Sequence, residues 1–139
     1  MFGAVYDHFM FFIEKAYLKK RRARLLSGLS GKILEVGVGT GTNFAHYGED
    51  VELIGIEPSP YMIPRAEKKR QLLLFPNRIT LLEIGCGYEE MEQLIEPGTL
   101  DAVVCTLVLC TIPDPSRALE NFSKWLKPGG KLVILEHIR

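Results

Sequence analysis

Five short runs rich in Val, Ile and Leu recur along this chain: Lys32–Val36, Val51–Ile56, Arg78–Ile84, Asp101–Leu107 and Lys131–Glu136. They show little apolar–polar alternation, which is how strands buried on both faces of a parallel sheet read. Helical stretches separate them at Thr42–Tyr47, Tyr61–Leu74, Glu89–Ile95 and Ser116–Leu126. The β–α alternation predicts an α/β fold, an open and mostly parallel five-stranded sheet with helices on both faces. Ligands of such doubly wound sheets bind at the carboxyl ends of the strands, near the point where strand order reverses.

Local chemistry supports several of these boundaries. Ser59 with Pro60, and Asp114 with Pro115, each pair an N-cap residue with proline at the first helical position. Pro64 lies inside the second helical stretch, where proline removes a hydrogen bond, so that helix is expected to start irregularly. Lys127-Pro128-Gly129-Gly130 reads as a turn into the last strand. Ahead of the first strand, Phe2, Val5, Tyr6, Phe9, Phe12, Ile13, Ala16 and Tyr17 recur at helical spacing. They predict an amphipathic helix from Phe2 to about Leu26, closed by Gly28 and Gly31. The expected organisation is therefore an N-terminal helix within residues 1–30 and a ligand-binding α/β domain over 31–139.

Composition narrows the function classes. The chain has 139 residues, enough for one domain, with 17 Lys+Arg balancing 17 Asp+Glu. A neutral chain lacks the basic footprint of a nucleic-acid binder. The longest apolar run, Phe9–Ile13, falls far short of the roughly 20 residues that span a bilayer. Cys86, Cys105 and Cys110 are an odd set without CxxC spacing, which argues against a disulfide framework or a zinc site and fits the cytoplasm.

The most specific motif is Glu35-Val36-Gly37-Val38-Gly39-Thr40-Gly41-Thr42-Asn43. Glycine supplies positive φ and lets a ligand approach backbone with no Cβ in the way. The dinucleotide fingerprint G-x-G-x-x-G would need glycine where Thr42 stands, which disfavours a nicotinamide dehydrogenase. No Gly-Lys-Ser/Thr follows, so a Walker loop is excluded as well. Glu57 ends the second strand about 20 residues after Gly37, where nucleotide-binding folds place a carboxylate for ribose hydroxyls. The bland alternative is a glycine-rich turn with a surface glutamate at a strand end.

Together with Ile54-Gly-Ile-Glu57-Pro-Ser59, this motif resembles the class I S-adenosylmethionine-dependent methyltransferases. The stretches Asp101–Cys110, Leu126-Lys-Pro-Gly-Gly130 and Leu135-Glu-His137 are similar to the methyltransferase type 11 branch. That branch includes the thiol methyltransferases of the methyltransferase-like 7 type and the ubiquinone and phospholipid methyltransferases. The resemblance implies a Rossmann-like sheet of order 3-2-1-4-5, with S-adenosyl-L-methionine as cofactor and S-adenosyl-L-homocysteine as product. It implies that Gly37, Val38, Gly39, Thr40, Gly41 and Asn43 cradle the cofactor while Glu35 holds its ammonium. Glu57 takes the ribose, Pro58, Ser59 and Met62 border the adenine, and Cys86, Gly87, Tyr88 and Glu89 cover the other adenine face. The Asp that relatives carry near Cys86 is absent, leaving the adenine amino group to Glu89 or to backbone and packing. Cys105, Thr106 and Leu107 would lie beside the transferable methyl.

Methyl transfer needs alignment and exclusion of water more than acid–base groups. If a base exists, His137 is the first candidate, against the plain reading of a strand-end histidine. Cys105 and Cys110 read as core thiols before they read as a redox pair. The first helix, with its basic end Lys19–Arg24, suits either an anionic membrane surface or a lid, with Tyr6 and Tyr17 on the acceptor side. Relatives continue past the fifth strand into an antiparallel strand pair that this chain lacks. An exposed fifth-strand edge then predicts a homodimer or a swapped arrangement that covers it. The expected activity is methyl transfer to a small thiol, amine or lipid-like acceptor. The alternatives are a phospholipid or quinone methyltransferase at a membrane surface and a cofactor-binding module without activity of its own.

Overall fold

The computed structural model describes residues 9–15, 19–85, 89–106 and 114–136. Among these residues six strands form one sheet: β1 (Phe9–Lys15), β2 (Gly31–Val36), β3 (Val51–Ile56), β4 (Ile79–Leu82), β5 (Leu100–Thr106) and β6 (Leu126–Glu136). The helices are α1 (Lys19–Ser27), α2 (Ile63–Gln71), α3 (Glu89–Leu94) and α4 (Pro115–Trp125), with short 3-10 turns at Phe44–His46 and Pro76–Arg78. The strand order is β1-β6-β5-β2-β3-β4, and every neighbouring pair is parallel. Strands β4-β3-β2-β5-β6 reproduce the expected 3-2-1-4-5 order. Order reverses at β2, the first of those five strands, which places the switch point at its carboxyl end.

The first stretch departs from the single amphipathic helix. Among the described residues of that stretch, Lys19–Ser27 is helical, whereas Phe9–Lys15 is a strand that runs alongside β6 from Phe9 opposite Gly130 to Lys15 opposite Glu136. A short apolar run is ambiguous between helix and strand by periodicity alone, and Phe-Met-Phe-Phe-Ile is rich in strand formers. Pairing also satisfies the row of backbone groups along β6. The open edge from which a homodimer is expected is therefore occupied by the chain itself.

Alternate residues of each central strand feed two cores, because side chains point to opposite faces with period two. Leu34, Val36, Val103, Cys105, Leu132 and Ile134 pack with Met91 and Ile95 and with the buried face of α4. That face is Ala118, Leu119, Phe122 and Trp125. Ile33, Leu53, Ala102, Val104 and Val133 pack on the other side with Leu26, Leu29, Phe44 and Ala66.

Helix starts follow the local chemistry. The Asp114 carboxylate accepts the Arg117 N–H at 3.1 Å, with Pro115 in the first turn. At α2 the cap is Met62, because the Ser59 carbonyl collects the N–H groups of Met62 and Ile63 in a separate turn first. Pro64 thereby falls in the first turn, where its missing N–H costs nothing. At the amino end of the sheet Asp101 ties three strands together. It accepts the Lys32 N–H at 2.8 Å and Lys127 Nζ at 3.1 Å.

Phe122 is fully buried, with its ring 6.1 Å from that of Trp125, the chain's one tryptophan. Phe122→Ala is expected to remove about 3–5 kcal/mol of stability, measured by urea unfolding followed through Trp125 fluorescence.

Candidate functional site

The site begins where the chain leaves β2. The N–H groups of Gly37 and Val38 both donate to the Ile56 carbonyl, at 2.9 and 3.1 Å, so the loop is tied to the end of β3 at its first two residues. Gly37, Gly39 and Gly41 all adopt positive φ, at 77°, 60° and 84°. Their surroundings differ. A Cβ on Gly41 would stand 2.7 Å from the Phe44 ring and 3.3 Å from the Ala66 backbone, so this glycine serves packing. A Cβ on Gly39 would meet nothing within 4 Å. That glycine faces open space, as a backbone surface for a ligand should.

Glu57 follows β3 directly and reaches back to this loop. Its Oε1 accepts the Gly39 N–H at 2.9 Å, and its Oε2 accepts the Ser59 N–H at 3.0 Å. Its own N–H donates to the Leu82 carbonyl at 3.1 Å. The residue is only 9% exposed. Each carboxylate oxygen keeps acceptor capacity beyond its one backbone donor. Pro58 and Met62 are exposed beside it.

Glu35 shares the strand face of Ile33, so it points toward the α1 side of the sheet and is fully buried. Tyr47 Oη donates to its Oε1 at 2.6 Å, and Asn43 Nδ2 donates to its Oε2 at 3.3 Å. These donors are four residues apart and bracket the 3-10 turn, which brings both back to one carboxylate. Burial raises the Glu35 pKa from 4.5 to about 7, while Tyr47, Asn43 and the charge of Arg22 pull it down. Burial, and then the adjacent Glu35, push the Tyr47 hydroxyl well above its ordinary value.

The structure thus gathers Glu35, Gly37, Val38, Gly39, Thr40, Gly41, Asn43, Glu57, Pro58 and Ser59 around the carboxyl ends of β2 and β3, with Met62 nearby. Cys105 lies opposite Val36 in the β2–β5 ladder and is fully buried in the core, as a packed thiol. Glu89 opens α3 and Thr106 closes β5. Tyr6, Tyr17, Cys86, Gly87, Tyr88, Leu107, Cys110 and His137 lie outside the described residues. Two residues escape a reading by motif. Tyr47 looks like the end of a helix, and Arg22 sits in a basic cluster that reads as a solvated face, yet Arg22 is only 7% exposed.

Comparison with known proteins decides the family. A family model described as a methyltransferase domain matches residues 6–139. The chain belongs to that family. It is 38% identical over 117 residues to the human thiol S-methyltransferase TMT1B, covering 81% of this chain and 46% of that protein. It is 31% identical over 136 residues to phosphatidylethanolamine N-methyltransferase of Cereibacter sphaeroides, covering 96% of this chain and 64% of that protein. This methyltransferase domain therefore spans about half to two thirds of the length of these relatives. Among solved structures, a Haemonchus contortus phosphoethanolamine N-methyltransferase in complex with S-adenosylhomocysteine shares the fold, with a TM-score of 0.66 at 23% identity over 84% of this chain and 28% of that one.

S-adenosylmethionine is the cofactor of such domains, and the residues here fit it. The open backbone at Gly39 accommodates a close approach, and the Glu57 oxygens can accept from ribose hydroxyls. Glu35 would supply negative charge beneath the loop for the ammonium group.

The two glycines should separate binding from folding. Gly41→Ala is expected to lower stability by about 2–4 kcal/mol, through the clash with Phe44 and the positive φ. Gly39→Ala should cost about 1 kcal/mol in urea unfolding yet weaken S-adenosylhomocysteine binding at least tenfold.

Glu35 also makes stability depend on pH. Its folded pKa of about 7 lies above the ordinary 4.5, so the folded state keeps a proton that the unfolded chain releases between those values. Its contribution is therefore full below about pH 4.5 and lost as pH rises to about 7. Glu35→Gln should gain on the wild type across that window, ending about 1–3 kcal/mol more stable at pH 8. A gap that stays constant between pH 5 and 8 would contradict this origin.

Proposed function

We propose that this domain binds S-adenosylmethionine and directs its methyl group to a small thiol, with an amine or a lipid-like acceptor as variants of the same chemistry. The observation that carries this is Glu57 joined to the N–H groups of Gly39 and Ser59 beside an open glycine backbone. The identity to a thiol S-methyltransferase supports a thiol as acceptor.

When bound, the cofactor supplies a methyl group already activated on a sulfonium. The protein's work is then placement. Glu57 anchors the ribose end and fixes the cofactor against the loop. Gly39 presents backbone instead of a side chain, which permits a close fit, while Gly41 makes room for Phe44 beneath the loop. Val36 and Cys105 lie side by side and buried at the ends of their strands, a packed floor behind the loop. Holding donor and acceptor in one orientation supplies most of the acceleration expected for such a transfer. A thiol that arrives as thiolate needs no base, and His137 stays the candidate if one is used.

A second reading is favoured by the match to a phosphatidylethanolamine N-methyltransferase over nearly the whole chain. The acceptor is then a lipid headgroup amine, and the domain works as a peripheral protein on a membrane surface of the cytoplasm. No helix among the described residues is long and apolar enough to cross a membrane, so contact through this region would be peripheral.

Titration calorimetry with S-adenosylhomocysteine tests the cofactor, and absence of binding at millimolar ligand would refute the proposal. Glu57→Ala is expected to weaken binding by about 1–3 kcal/mol, since it removes an acceptor for buried hydroxyls. Labelled methyl transfer to small thiols distinguishes the first acceptor class, and transfer to phosphatidylethanolamine vesicles favours the second. Cofactor binding with neither transfer would identify a binding module.

A further inference from the structure

Beneath the glycine loop, Tyr47 makes a contact that the proposed transfer does not require. It follows the 3-10 turn Phe44–His46, and its hydroxyl meets Glu35 Oε1 at 2.6 Å, within the range of a charge-assisted O–H···O bond. The other oxygen is held by Asn43, so both sides of the carboxylate are fixed. Among the described residues, Arg22 of α1 acts on Glu35 and Cys105 of β5 acts on Tyr47. Glu57 stands at the far side of the same loop, bound to Gly39. The Tyr47 ring lines a separate groove of about 190 Å³ with Phe44, Leu53 and Leu73. The ring thus has apolar neighbours of its own, and the hydroxyl alone reaches the carboxylate.

We propose that Tyr47 is a positioning residue for cofactor binding: its hydroxyl orients the Glu35 carboxylate beneath the glycine loop, where that group attracts the cofactor's ammonium. This deepens the methyl-donor reading above and rests on it. A fully buried carboxylate is costly to ionise, and hydrogen bonds donated to the charged form are what offset that cost. Burial has already carried Glu35 to about 7, so loss of one such bond moves its ionisation out of the neutral range. Binding of an ammonium-bearing ligand then strengthens as pH rises through the Glu35 midpoint and levels off above it. Tyr47→Phe keeps the ring in its groove and removes only the donor.

The test is calorimetric affinity for S-adenosylhomocysteine between pH 6 and 9, with wild type, Tyr47→Phe, Glu35→Gln and the double variant, each checked for folding by circular dichroism. In Tyr47→Phe the midpoint of the affinity profile is expected to rise by about one pH unit, which weakens binding about fivefold at pH 7 and less than twofold at pH 9. In the Glu35→Gln background, Tyr47→Phe should have no further effect, because the hydroxyl acts through the carboxylate. Equal profiles for wild type and Tyr47→Phe would overturn the assignment. So would a loss that persists undiminished in the Glu35→Gln background, since that marks a packing role. If wild type itself fails to bind at every pH, the methyl-donor reading fails instead, which separates the two. Should Tyr47→Phe not fold, Asn43→Ala moves the same midpoint in the same direction, and an unmoved midpoint there overturns the proposal.

Discussion

One carbonyl holds the site in place. Ile56 O receives the N–H groups of both Gly37 and Val38, and this pair of hydrogen bonds from loop to strand turns the chain sharply at the carboxyl end of β2. From that turn follow the open backbone at Gly39 and its reach to Glu57. The turn needs room underneath. Gly55 provides it, because a Cβ at that position would stand 2.8 Å from the Val38 side chain and 3.1 Å from Leu81. A residue of β3, outside the loop itself, therefore decides how low the loop can sit. The same close approach lets the carboxylate after β3 bond to the loop after β2.

A parallel sheet covered on both faces leaves little place for charge, yet this one buries a carboxylate in the middle strand. Glu35 shares a face with Ile33, and its partners come from the helix and the turn that cover that face. Ionised carboxylates are stable in such a setting only with donors on hand, and burial here outweighs those donors enough to hold the group near neutrality. The arrangement resembles a functional site more than a structural one, because a stability-driven core would place an apolar residue there.

The runs of branched apolar residues made the sheet legible, with Val51–Ile56 matching its strand end for end and the other spans differing by a few residues. The glycine spacing and the position of Glu57 made the pairing of loop and carboxylate legible too, since both depend on sequence distance along one β–α–β unit. Phe9–Lys15 was ambiguous for a physical reason: five consecutive apolar residues carry no period. Tyr47 and Arg22 escaped because their roles come from tertiary placement. Nothing local distinguishes a tyrosine that ends a turn on the surface from one whose hydroxyl enters a buried pocket. A single buried arginine in a run of basic residues gives no sign of itself either, as helical propensity is indifferent to which of its neighbours is covered.

The bonds already made by Glu57 have an entropic consequence. A glutamate at a strand end ordinarily samples many rotamers, and a ligand that uses it must freeze them on arrival. Here the backbone of Gly39 and Ser59 has immobilised the side chain during folding, one oxygen each. The ordering cost is met by the fold before any ligand arrives, so more of each new hydrogen bond appears as affinity. A ligand at this end of the sheet would meet a finished lock, not a loop that closes around its guest.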